Sequence, residues 1–92
     1  MNEDRSVEEQ LLQFPCSFPI KVMGRDENSF RDTVVRIVQN HAGNISDGDI
    51  RMAPSRKGNF ISITITIRAE SQKQLDAIYG SLSACDDVLF SL

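Results

Sequence analysis

Few residues in this sequence have the chemistry to bind a metal or to act as a nucleophile. His41 is the one histidine, and Cys16 and Cys85 are the two cysteines. A structural zinc site usually takes four such ligands, so this chain alone cannot complete one. No nucleophile or glycine-rich phosphate motif accompanies His41, whose place at the end of an apolar stripe is typical of a histidine packed at the core edge. The sequence therefore predicts no metal, no cofactor, no catalytic residue and no enzyme.

Cationic side chains in two loops suggest a different chemistry, the binding of a small anion. Arg25 follows a predicted strand and precedes a predicted helix, and a helix N-terminus with nearby cations favours anions. A second loop adds two cations beside a glycine and an asparagine. Acidic residues in neighbouring loops weaken this attraction, so solvated turn residues are the alternative interpretation. The candidate ligand-binding residues are Arg25, Arg56, Lys57, Gly58 and Asn59.

The spacing of apolar side chains indicates the elements that position these loops. Ile61, Ile63, Ile65 and Ile67 alternate with polar residues. Four β-branched side chains at period two predict a strand with one buried face. Apolar residues at spacings of three and four predict helices elsewhere. The predicted strands are residues 18–23, 50–53, 60–68 and 88–92, and the helical stripes run over residues 30–41 and 75–82.

The order β-α-β-β-α-β predicts a ferredoxin-like α+β fold. Right-handed crossovers give a four-stranded antiparallel sheet of order 4-1-3-2, with both helices on one face and the isoleucine strand in the centre. The loop 24–29, the hairpin 54–59 and the turn 84–87 should then share one end of the sheet. The loop 42–49 and both termini should lie at the other end.

Length and composition predict one domain in the cytoplasm. The 92 residues have room for one core, assigned to residues 14–92, after a polar extension at residues 1–13 with a capping-box spacing typical of a short helix. No apolar run is long enough to cross a membrane, and no secretory signal precedes the domain. The net charge of −3 and the pI near 5.0 disfavour nucleic-acid binding, which depends on cations.

The sheet face opposite the helices is the second candidate site. RNA-binding domains of this topology stack bases on aromatics of the first and third strands, but here Phe60 is the one aromatic expected on those positions. RNA binding through this face is therefore the disfavoured alternative to a protein contact. Leu89 is a further candidate for this face. Exposure of the face to solvent, its coverage by the N-terminal segment 11–14, and a homodimer through the face or through the edge strand 50–53 are left open. The predicted interaction residues are Lys21, Met23, Phe60, Ser62 and Thr64.

Several short stretches, taken together, resemble a known family. They are Phe14-Pro15, Lys21-Val22-Met23-Gly24, Val38-Gln39-Asn40-His41-Ala42, and Pro54-Ser55-Arg56-Lys57-Gly58-Asn59-Phe60 followed by Ser62. Over residues 11–92 the chain is similar to the YbeD-like family of small bacterial proteins.

This resemblance implies a ferredoxin-like fold similar to the ACT domains, which bind amino acids and regulate metabolic enzymes. It also suggests a regulatory role connected with lipoate metabolism, and it implies no catalytic or ligand-binding residues. The loop 24–29 lacks the Pro-Gly pair common in ACT domains, which argues against amino-acid binding. The expected function is a non-catalytic regulatory or interaction module that acts through a protein partner or a small metabolite.

Overall fold

The computed structural model describes residues 13–27 and 29–92. The helix expected in the N-terminal extension lies outside the described residues. The elements in chain order are β1 (Cys16–Arg25), α1 (Phe30–Ala42), a short 3-10 helix (Asp47–Asp49), β2 (Ile50–Pro54), β3 (Phe60–Ala69), α2 (Gln72–Ser83) and β4 (Val88–Ser91).

The four strands form one antiparallel sheet of order β2-β3-β1-β4, which confirms the predicted order 4-1-3-2. The longest pairing joins β1 to β3, from Cys16 opposite Ala69 to Arg25 opposite Phe60. Strand β3 is central, as its run of alternating isoleucines predicted, because a strand with neighbours on both edges needs an apolar face under the helices. The fold is the predicted ferredoxin-like α+β arrangement.

One face of the sheet and both helices enclose the core. Ile63 and Ile65 are fully buried and Ile67 is 5% exposed, so the period-two pattern marks the helix-facing side. Ile61, at the start of β3, is only partly buried. The other buried apolar residues are Ile20 and Val22 from β1, Phe30, Val34 and Val38 from α1, Leu75, Ile78 and Leu82 from α2, and Ala69.

Local signals account for two helix ends. Helix α1 ends before Gly43, whose φ of 80° is easy for a glycine and whose N–H donates to the Gln39 carbonyl at 2.9 Å. Helix α2 begins after Ser71, whose Oγ accepts the Gln74 N–H at 3.1 Å.

Strand boundaries differ from the prediction where tertiary pairing extends them. Gly24 was expected to end the first strand, but β1 continues to Arg25 because its pairing with β3 continues to Phe60. The C-terminus was expected at the far end of the sheet, and that placement is wrong. Leu92 exchanges two backbone hydrogen bonds with Lys21, so the chain ends beside the middle of β1.

Among the described helices, none is long and apolar enough to cross a membrane.

Candidate functional site

The loops predicted to share one end of the sheet do meet there. The Asp26 N–H donates to the Asn59 carbonyl at 3.0 Å, which ties the end of β1 to the β2–β3 hairpin. The Arg25 guanidinium lies 5.6 Å from the centre of the Phe60 ring, within the range of a cation–π contact. Sequence order therefore located this end of the molecule correctly.

A cleft opens at the same end, between β1, the start of α1 and the turn before β4. It encloses about 460 Å³, open solvent at its mouth included. Arg25 is its one cationic lining residue, whereas three of the others are carboxylates, which oppose the binding of an anion. The lining residues are Arg25, Glu27, Ser29, Phe30, Asp86, Asp87 and Leu89.

The five predicted ligand-binding residues divide between two places. Arg25 lines the cleft, but Arg56, Lys57, Gly58 and Asn59 are exposed in the hairpin turn and do not line it. The Asp26–Asn59 hydrogen bond keeps the hairpin beside Arg25 without gathering the cations around one cavity. Anion binding by this set stays a prediction.

The five predicted interaction residues all lie on the open face of the sheet, opposite the helices. Lys21 pairs with Thr64 and Met23 with Ser62 across β1 and β3. These residues alternate with the buried Ile20, Val22, Ile63 and Ile65, so their side chains project from the opposite face of the sheet. The open face is defined below as Pro19, Lys21, Met23 and Arg25 of β1, Arg51 and Ala53 of β2, Phe60, Ser62, Thr64, Thr66 and Arg68 of β3, and Phe90 of β4.

Phe90 is the main open-face residue that the sequence prediction missed. It lies opposite Met23, and 48% of its surface is exposed. Leu89 was a further candidate for this face, and it lies where a β-bulge shifts the register of β4 between Met23 and Gly24. Leu89 is the extra residue of this bulge and lines the cleft. Strict alternation along β4 could not have revealed the shift.

Arg51 also joins the open face. It lies opposite Thr64 on β2, and Thr64 lies opposite Lys21, so two cations flank one threonine in a single row. With strands about 4.8 Å apart, the backbones of Arg51 and Lys21 are roughly 10 Å apart. The alternation along β2 would have placed Arg51 on the open face if the pairing register of β2 with β3 had been known.

His41 has the structural role that the sequence indicated. Its Nε2 lies 3.0 Å from the Ser81 Oγ, a contact between the end of α1 and α2. Within the described parts of the chain, no three His, Cys, Asp or Glu side chains are close enough to share a metal ion. Cys16 begins β1 and Cys85 follows α2, both as free thiols.

Comparison with known proteins places the chain among bacterial relatives of similar length. A protein from Paraburkholderia phytofirmans named "UPF0250 protein" is 41% identical over 78 residues, which cover 85% of this chain and 88% of the relative. A UPF0250 protein from Idiomarina loihiensis is 42% identical over 84 residues, 91% of this chain and 93% of the relative.

Solved structures of low sequence identity support the fold. Protein HP0495 from H. pylori is similar with a TM-score of 0.64 and 15% identity, over 88% of this chain and 85% of that one. The ACT domain from the GTP pyrophosphokinase of Chlorobium tepidum is similar with a TM-score of 0.59 and 16% identity, over 83% of this chain and 94% of that domain. At this identity the likeness concerns the fold alone.

The family model described as "Protein of unknown function (DUF493)" matches residues 9–92. This match and the UPF0250 relatives confirm the predicted YbeD-like resemblance, and the chain therefore belongs to the DUF493 family.

Proposed function

We propose that this chain is a non-catalytic regulatory or interaction module that binds a protein partner through the open face of its sheet. The observation that supports this most is the half-exposed ring of Phe90 on β4 beside the partly buried Met23 of β1. Aromatic residues and methionine are enriched in protein interfaces, where a few buried aromatic anchors account for most of the binding energy.

The arrangement of layers favours this face over the helices. Both helices cover one side of the sheet and present mostly polar residues outward, whereas the open face combines apolar and cationic side chains. Sheets of this kind often leave one face available to solvent or to a partner.

A small anionic metabolite at the hairpin end is the second candidate ligand. The hydrogen bond from Asp26 to Asn59 supports it, because it holds the cationic hairpin turn next to Arg25. The carboxylates of the adjoining cleft weigh against it. A connection with lipoate metabolism and residence in the cytoplasm stay predictions from the family resemblance and the composition.

Substitution of Phe90 tests the proposed face. Affinity capture from the native host's lysate should recover a specific protein with the unaltered chain and lose it with Phe90→Asp, because a buried carboxylate would replace the aromatic anchor. The affinity should fall by about 30-fold or more, as for a typical aromatic hot spot. Phe60→Asp should also weaken capture.

Leu89→Asp provides a matched control. Leu89 is 49% exposed and Phe90 48%, but Leu89 lies in the bulge of β4 and lines the cleft. Capture should survive this change. Equal capture by Phe90→Asp and the unaltered chain, with both variants folded, would reject the open face as the binding surface.

A further inference from the structure

The open face has a charge opposite to that of the rest of the molecule. In the described strands it carries four cations and no carboxylate. Every Asp and Glu side chain among the described residues lies on a helix or in a loop, although the whole chain has a net charge of −3. Such separation creates a local positive potential in an acidic protein. The cations are Lys21, Arg25, Arg51 and Arg68.

Most of these cations are not neutralised within the described part of the chain. Arg68 pairs with Glu70 at 3.3 Å, at the end of β3. Lys21, Arg25 and Arg51 take no part in the ion pairs found among residues 13–27 and 29–92, and all three side chains are exposed. With respect to the described residues, Lys21 and Arg51 at the centre of the face therefore keep their positive charge.

The pairing register places apolar and cationic side chains in adjacent rows across the sheet. One row runs from Ala53 through Ser62 and Met23 to Phe90. The next row, two residues along each strand, runs from Arg51 through Thr64 to Lys21. A ligand that contacts both rows therefore needs apolar side chains next to negative charges.

From this juxtaposition, and relying on the proposed function, we infer that the partner presents an acidic peptide segment with interspersed apolar side chains to the open face. The carboxylates would lie against Lys21 and Arg51, and the apolar side chains against Met23 and Phe90. Charge complementarity of this kind guides encounter and selects among partners, while the apolar anchors supply most of the affinity.

A peptide fits these rows better than a single-stranded nucleic acid does. Nucleic acid of this kind binds by stacking successive bases on successive aromatic rings. The Arg25 guanidinium already lies over the Phe60 ring, at 5.6 Å from its centre. Phe90 is the other open-face ring in the described strands, and its neighbour in the row is the aliphatic Met23.

Selection from a displayed library of random 12-residue peptides tests the inference with the full chain. Peptides enriched by the unaltered protein should carry a net negative charge and at least two large apolar residues. Their binding should weaken as salt is raised, since the charged contacts are exposed. Enrichment of neutral or cationic peptides, or no enrichment at all, would overturn the inference.

Charge reversal makes the test specific for the face. The double variant Lys21→Glu/Arg51→Glu should lose affinity for the acidic peptides by about tenfold or more. In a new selection it should prefer cationic peptides. The control Arg36→Glu/Lys73→Glu makes the same charge change on the exposed sides of α1 and α2. The control should keep the original preference, and a loss equal to that of the face variant would refute the assignment.

Two further outcomes separate this inference from the proposed function. If Phe90→Asp abolishes capture of the native partner while the selected peptides show no acidic preference, the inference fails and the proposed function stands. If neither capture nor peptide binding depends on the open face, both fail. Stronger binding of a 12-residue oligouridylate than of any selected peptide, lost in Lys21→Glu/Arg51→Glu, would replace the peptide with RNA and overturn the inference.

Discussion

Gly24 is a residue whose importance comes from close packing. It is buried in β1, where α1 and the turn before β4 approach the sheet. A Cβ added at this position would stand 2.6 Å from the Asp87 carbonyl oxygen and closer still to the Phe30 ring. Phe30 is 3% exposed, so its ring has little room to move away. Only the absence of a side chain lets these elements come together.

Gly24→Ala should therefore destabilise the protein by about 1–3 kcal/mol, the usual cost of overpacking a core. Urea denaturation followed by circular dichroism measures the change. Gly80→Ala is the matched control, because Gly80 is exposed in α2 and a Cβ there meets nothing within 4 Å. That control should stabilise the protein by about 0.5–1 kcal/mol through helix propensity. Equal effects of the two changes would show that the close approach at Gly24 is unimportant.

At the scale of elements, Gln74 links the start of α2 to the end of α1. Its Oε1 accepts the Glu70 N–H at 2.7 Å, and its Nε2 donates to the His41 carbonyl at 3.0 Å. Ser71 and Gln74 have the spacing of a capping box, and the Ser71 Oγ accepts the Gln74 N–H as that motif requires. In a capping box the Gln74 side chain would accept the Ser71 N–H, but here it accepts the N–H of Glu70, one residue earlier. The bond from its Nε2 to the His41 carbonyl connects the two helices.

Gln74→Glu should keep the contact with Glu70 and lose the contact with His41, because a carboxylate cannot donate. We expect a loss of about 1 kcal/mol in the free energy of unfolding, typical of one hydrogen bond, measured by thermal or urea denaturation at neutral pH. Gln72→Glu adds the same charge in the same turn, beside Asp76, and should cost no more than about 0.5 kcal/mol. A loss no larger than that of this control would argue against the interhelical bond.

At the scale of the whole molecule, Leu92 connects the sheet to the helix layer. The Leu92 carbonyl accepts the Lys21 N–H at 3.1 Å and the Tyr79 hydroxyl at 2.6 Å. Helix α2, β1 and the end of the chain are thus joined at one atom. Burial of Tyr79 raises the pKa of its phenol above the ordinary value of 10.0.

This raised pKa predicts a loss of stability at alkaline pH. Above pH 10 the phenol of the unfolded chain ionises first, while the folded protein still holds its proton, so the folded state loses relative stability as pH rises through the folded-state pKa. Below pH 10 the phenol is neutral in both states, so the contribution of Tyr79 to the stability of the folded state is complete. Unfolding by urea at pH 8, 10 and 11 measures the effect.

Tyr79→Phe is the reference for this titration, because every other ionisable group is common to both proteins. It should lower stability at pH 8 by about 1 kcal/mol through the lost hydrogen bond, and it should show a weaker decline above pH 10. As Tyr79 is the one tyrosine in the chain, ultraviolet absorbance reports its ionisation directly. An identical decline in both proteins would contradict the prediction.

The sequence by itself determined the elements and their order. Period-two isoleucines in β3 and stripes at spacings of three and four in the helices are local patterns, produced by residues close together in the chain. With few elements, the handedness of crossovers then left one main topology, and the topology placed the hairpin beside Arg25. The alternation along β1 and β3 likewise placed Lys21, Met23, Phe60, Ser62 and Thr64 together on the open face.

The tertiary structure alone decided which residues complete that face. A bulge in β4 places Phe90 opposite Met23, and Arg51 lies in line with Lys21 because of the register of β2 on β3. The same packing put Gly24 against Phe30 and Leu92 beside Lys21. A register between strands depends on contacts between residues distant in the chain, and one inserted residue reverses every side chain beyond it, so no local pattern specifies the outcome.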